Sequence, residues 1–111
     1  MDALQQLAHA TEFTFYPEGA EDDEINGKHF RITVAKRSKG KWAVLFFGEC
    51  WNGEDWVHEG MASSRGKDFL KVTRFDLNTA LELAESLVEN TQVNGLTYAG
   101  LQKKFKEHNL I

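Results

Sequence analysis

Along residues 12–75 the apolar positions fall mostly at alternate residues, and from residue 77 onward they recur at helical spacing, so the pattern predicts a β-rich body followed by helices. Before that body, Leu4, Leu7 and Ala8 share one side of a short helix over residues 3–9. Phe13 and Phe15 alternate with Glu12 and Thr14 as a half-buried strand, which Pro17 ends. Residues 18–27 hold Glu18, Glu21, Asp22, Asp23 and Glu24 with two glycines, the composition of a solvated loop. That loop lacks the alternating ligands of a calcium site.

From His29 the pattern reads as an antiparallel meander. A strand with Phe30, Ile32 and Val34 on one side reaches a Ser38-Lys39-Gly40 turn, and a long strand runs from Trp42 to Trp51. With Gly40 left-handed in a bulged turn, Arg37 faces Lys41, Val34 faces Val44, Ile32 faces Phe46 and Phe30 faces Gly48. A plain two-residue turn is the competing register, and it segregates the two faces less well. A four-residue loop at Asn52-Gly53-Glu54-Asp55 sets Trp51 opposite Trp56, Cys50 opposite Val57, Glu49 opposite His58 and Phe46 opposite Met61. A two-residue Asn52-Gly53 turn would instead split the tryptophan pair. Residues 62–67 read as a polar loop and residues 69–75 as a last strand.

Asp76 is placed to cap a helix whose stripe is Leu77, Ala80, Leu81, Ala84, Leu87 and Val88. Asn94-Gly95 makes the next connection, and Thr97 caps a second helix carrying Tyr98, Leu101 and Phe105. The expected fold is a single α+β domain over residues 1–111: an acidic N-terminal segment (1–27), a β-meander (28–75) and two helices (76–111). The sheet should have about five antiparallel strands, with the two C-terminal helices packed on one face.

On these registers Phe30, Ile32, Val34, Trp42, Val44, Phe46, Cys50, Val57 and Met61 form the core face. The opposite face collects Leu45, Phe47, Glu49, Trp51, Trp56 and His58, too apolar for an open solvated surface. Three covers fit: the N-terminal helix and strand folded over it, a second copy in a homodimer, or a ligand such as nucleic acid. This aromatic face is the candidate binding surface, and a non-catalytic interaction protein, self-associating or holding a protein partner, is the leading expectation.

Charge adds a second candidate. The net charge is −4, yet all seven carboxylates of residues 1–27 occur there without a Lys or Arg, so the remainder is net positive. Lys36, Arg37, Lys39 and Lys41 make a basic hairpin tip, and Arg65 and Lys67 a basic loop, the alternative being a nucleic-acid-binding module with the tryptophans as stacking surfaces. The acidic segment would oppose a phosphate backbone if it lay over those tips.

Catalytic chemistry has thin support. Glu49 and His58 are candidates for a small-molecule pocket or active site, although a cross-strand ion pair accounts for them more simply. Cys50 points to the other face and reads as a buried hydrophobe. No phosphate loop, zinc motif or cysteine-histidine metal spacing occurs, so no metal or cofactor is expected. One cysteine, no readable signal peptide and no long apolar run make the cytoplasm the expected compartment, with no membrane partner.

The run Trp42-Ala43-Val44-Leu45-Phe46-Phe47-Gly48-Glu49, together with Ala80, Leu81, Leu87, Val88, Glu89 and Thr91, resembles WGR domains in element order and spacing over residues 29–95. The resemblance implies a small sheet-plus-helix module of the kind that contacts DNA and neighbouring domains in repair proteins. Phe47-Gly48-Glu49 stands where the family's Trp-Gly-Arg would fall, so that family's arginine contact does not transfer, and residues 52–68 form an additional excursion.

Overall fold

The computed structural model describes residues 2–108, apart from the Leu4 side chain, so the expected place of Leu4 on a helical stripe lies outside the described residues. Helix α1 (Ala3–Leu7) and strand β1 (Glu12–Phe15) lead into β2 (Ile32–Ser38), β3 (Lys41–Phe46), β4 (Glu49–Trp51) and β5 (Trp56–His58). These five strands form one antiparallel sheet in chain order. Helices α2 (Lys67–Thr73) and α3 (Leu77–Leu87) follow, then a ribbon of β6 (Gln92–Val93) and β7 (Leu96–Thr97), and helix α4 (Tyr98–Glu107). The α+β fold expected from the pattern is the fold observed. Among the described residues no helix is long and apolar enough to cross a membrane.

Where a turn has its own hydrogen-bond chemistry, the register follows expectation. Val34 pairs with Val44 and Ala35 with Ala43, Gly40 has φ 71°, and a bulge between Lys36 and Ser38 places Ser38, rather than Arg37, opposite Lys41. The Asn52 side chain accepts the Glu54 and Asp55 amides at 2.8 and 2.7 Å, closing the four-residue loop that sets Trp51 opposite Trp56. Asp76 accepts the Thr79 amide at 2.8 Å, and Thr97 the Gly100 amide at 3.1 Å, as capping requires.

The expected long strand from Trp42 to Trp51 is instead two strands. Phe47 (φ 50°) and Gly48 (φ 80°) make a two-residue turn that pairs Phe46 with Glu49 and Leu45 with Cys50. A bulky side chain at positive φ costs about 1 kcal/mol, which is why the residues themselves do not announce this turn. Its consequence is a change of side-chain parity. In an unbroken strand Leu45 and Trp51 would share a face; across this hairpin Trp51 lies on the face of Val44 and Phe46, and Cys50 on the face of Leu45. Trp51 and Trp56, with ring centroids 5.1 Å apart, therefore pack against the main core, and Phe46 meets Trp56 at 5.4 Å.

That core combines Ile32, Val34, Trp42, Val44 and Phe46 of the sheet with Ala80 and Ala84 of α3 and with Val88 just beyond it. Small alanines let α3 approach the sheet closely, and Phe13 and Phe15 of β1 complete the layer. Phe30 is not a strand residue opposite Gly48; it ends a 3-10 turn and packs on Tyr98 of α4, centroids 5.5 Å apart, in a smaller cluster with Ala20. Met61 does not face Phe46 and is exposed.

Part of the second face is covered from within the chain, by the segment after β5, and the rest is left open, bordered by Glu12, Lys28 and His29. After β5 the chain turns back across it, and Ala35, Ala43 and Cys50 there are 0–2% exposed. The strand expected at 69–75 is helix α2 with a single bridge beyond it, in which Trp42 and Phe75 exchange amide-carbonyl bonds of 2.8 and 2.9 Å. Phe69 and Thr73 are one helical turn apart, and the Thr73 hydroxyl donates to the Phe69 carbonyl at 2.7 Å.

The N-terminal acidic stretch is more structured than a solvated loop, with 3-10 turns at Ala20–Asp22 and Gly27–His29. The Tyr98 hydroxyl donates to Asp23 at 2.9 Å and the Glu18 amide to Glu89 at 2.7 Å, so the segment is tied to the C-terminal elements at the Ile32 end of β2.

Phe46 is 8% exposed at the centre of the core. Phe46→Ala should lower unfolding free energy by about 3–5 kcal/mol in urea denaturation, and a loss below about 1 kcal/mol would contradict this packing.

Candidate anion-binding site

Because the chain crosses the second face after β5, Glu59 lands beneath the β2–β3 hairpin, and three arginines from separate segments converge on it. Arg37 of β2 forks onto the carboxylate through Nε (2.9 Å) and Nη2 (2.7 Å), Arg74 donates at 2.9 Å, and Arg65 approaches to 3.5 Å. The side chains of Arg74 and Glu59 are 6% and 12% exposed. One carboxylate thus holds three guanidinium groups in a largely desolvated setting, leaving positive charge in excess.

The protonation energetics show the imbalance. Hydrogen bonding to Arg37, followed by the charges of all three arginines, holds the Glu59 carboxyl below its usual range against the opposing effect of burial. The same bonds push Arg37 up. Arg74 is pushed down, chiefly by burial and then by repulsion from Arg65 and Arg37, which together outweigh Glu59. Beneath the cluster, burial first and Glu59 second push the Cys50 thiol up, which disfavours the reactive thiolate.

A cavity of about 220 Å³ opens beside the cluster, lined by Arg37, Ser38 and Lys41 of the hairpin, Ala62 and Arg65 of the loop, and Leu70 and Arg74. Arg65 gives Nη2 to the Gly60 carbonyl at 3.1 Å, while its Nε is buried without a hydrogen-bond acceptor. Lys41 has no acidic partner among the described residues. Unspent donors with uncompensated positive charge suit an anionic oxygen ligand. Arg37 and Glu59 also line a larger cavity of about 860 Å³ over the second face, together with Lys28, His29, Arg31 and Thr33.

Of the basic candidates, Arg37, Lys41 and Arg65 are brought together in one cavity. Lys36 and Lys39 are exposed at the hairpin, and Lys67 is exposed at the start of α2. Glu59 and Arg74 were not among the candidates. The available signal was charge: residues 59–74 carry Arg65, Lys67, Lys71 and Arg74 against only Glu59 and Asp68.

The aromatic candidates are dispersed. Leu45 stays on the second face, whereas Trp51 and Trp56 are half-buried on the core side and Phe47 is 67% exposed at the turn tip. The hairpin at Phe47-Gly48 is the physical reason, since it reverses the parity on which the common face depended. Glu49 and His58 are opposite one another as expected. No ion pair joins them among the described residues, and His58 lines none of the cavities described here. Among the described residues no group of three or more His, Cys, Asp or Glu is arranged to hold a metal ion.

Removing the Glu59 charge should expose the cost of the arginine cluster. Glu59→Gln should destabilise the protein by roughly 2 kcal/mol at neutral pH, less than a fully desolvated pair would lose because the cluster has water at its rim. The folded carboxyl titrates below its unfolded value, so its contribution is complete above about pH 5 and disappears as pH falls through the folded value. Urea denaturation from pH 7 to about pH 3 should therefore show the wild-type and variant stabilities converging; a constant gap would contradict it.

Comparison with protein-family models, with curated proteins and with solved structures finds no match to this chain, so the chemistry of this site stands on its own residues.

Proposed function

We propose that this protein is a non-catalytic nucleic-acid-binding module whose basic hairpin and excursion loop engage the phosphate backbone. The observation that carries the reading is the convergence of Arg37, Lys41, Arg65 and Arg74 on one cavity. Lys36, Lys39, Lys67 and Lys71 add exposed charge from the same two segments. Phosphate contacts of this kind supply sequence-independent affinity.

The acidic segment supports the reading by its position. Its residues 18–24 are tied down at the Ile32 end of β2, and the basic tip begins at the Ser38 end, six residues away or roughly 20 Å along the strand, with Glu12 of β1 the one carboxylate of the segment near Arg37. A separation of two Debye lengths at physiological salt leaves the two charge groups largely independent in solvent. Self-association through a shared aromatic face has less support, because Trp51 and Trp56 are packed against the protein's own core. A buried lone cysteine is compatible with a reducing cytoplasm.

Filter binding of a mixed-sequence oligonucleotide over a salt series tests the proposal. Affinity should fall steeply as salt rises, and Lys39→Ala/Lys41→Ala should weaken binding on every sequence and reduce the log-log slope by about two. Absence of retained oligonucleotide at about 50 mM salt would overturn it.

A further inference from the structure

Another cavity, of about 560 Å³, lies on the other flank of Phe47, where the β3–β4 turn meets the β6–β7 ribbon and α4. Its size is within the range of small-molecule sites, and its walls have the usual composition: Phe30, Phe47, Leu96, Leu101 and Phe105 are apolar, with a few polar groups among them. Each of those groups can donate a hydrogen bond. Lys104 and His29 line the cavity together with two asparagine amides, and no carboxylate does. Lys104 has no acidic partner among the described residues; Glu49 lines an adjoining recess of about 230 Å³, and Asp23 accepts the backbone amide of Asn26 at 3.0 Å.

Phe47 supplies an independent observation. It has φ 50°, a conformation that asparagine or glycine would take at less cost, yet its side chain is left 67% exposed. Its one ring contact among the described residues is with Phe46, at 6.0 Å between centroids. Folding therefore recovers little from this strained aromatic, which lines the cavity. Asn94 at the facing β6–β7 turn adopts φ 54°, the same conformation, with a residue suited to it.

We infer that this cavity binds an amphipathic monocarboxylate, its apolar body against Phe47, Leu101 and Phe105 and its carboxylate at Lys104 and His29. Apolar walls without a polar rim would take a neutral ligand equally well. The Lys104 ammonium, in a lining that includes no carboxylate, selects the acid.

Isothermal titration with 2-naphthoate and with the neutral 2-naphthylmethanol tests the inference on the full chain. The acid should bind about tenfold tighter than the alcohol, and Lys104→Ala should abolish that preference. Phe47→Asn should weaken both ligands about tenfold while raising the melting temperature by about 4 °C, because asparagine relieves the backbone strain. Equal affinity for acid and alcohol, or acid binding unchanged in both variants, would overturn the inference. A lower melting temperature in Phe47→Asn would assign Phe47 to the fold and overturn its role as a ligand contact. Sedimentation with phosphatidylglycerol vesicles without naphthoate binding would replace the cavity by a membrane contact, and would overturn it too.

Discussion

Side-chain parity is the constraint on which the rest of this structure depends, and it is set by the two-residue turn at Phe47-Gly48. Because the turn pairs Phe46 with Glu49, every residue after it appears on the face opposite to the one a continuous strand would give it. Trp51 and Trp56 move to the core face and pack against the core, while Cys50 and Val57 move to the second face. An aromatic patch that would have called for an outside partner becomes internal packing.

The same reversal sends the chain onward across the second face, and the charge distribution follows from that path. Glu59 enters a region where Arg37 projects from β2, and the return of the chain at Arg74 brings a second guanidinium to it. A single carboxylate then organises three arginines, two of them mostly buried. The result is an electropositive corner whose arginines are held by Glu59 rather than a set of separate surface charges. At the other end of β2, Asp23 is bonded to Tyr98, which holds residues 18–24 away from that corner, while Glu12 of β1 lies near Arg37. A net charge of −4 thus conceals a molecule with two poles.

How far the sequence could be read depended on whether the deciding interaction was local. Asp76, Thr97, Asn52 and Asn94-Gly95 each carry the hydrogen-bonding group or backbone freedom that their turn or cap needs, and each is found in its expected role. The stripe of Leu77, Ala80, Leu81 and Ala84 repeats at helical spacing and forms α3. By contrast, Phe69, Leu70 and Val72 fit both periods over so few residues that neither is decisive. Of the arginine corner, Arg37, Lys41 and Arg65 were recognisable from charge, but Glu59 and Arg74 were not, since neither is near the other in the chain.

The residues by themselves determined the α+β class, the helix caps, the two polar turns and the separation of an acidic segment from a basic body, because each rests on local periodicity or local hydrogen bonding. Tertiary structure alone decided which face each strand residue occupies after Phe47, what covers the second face and which arginines meet. A bulky residue is driven through the left-handed region only when the packing on both sides of the turn outweighs its local cost, and that packing involves residues far apart in the chain.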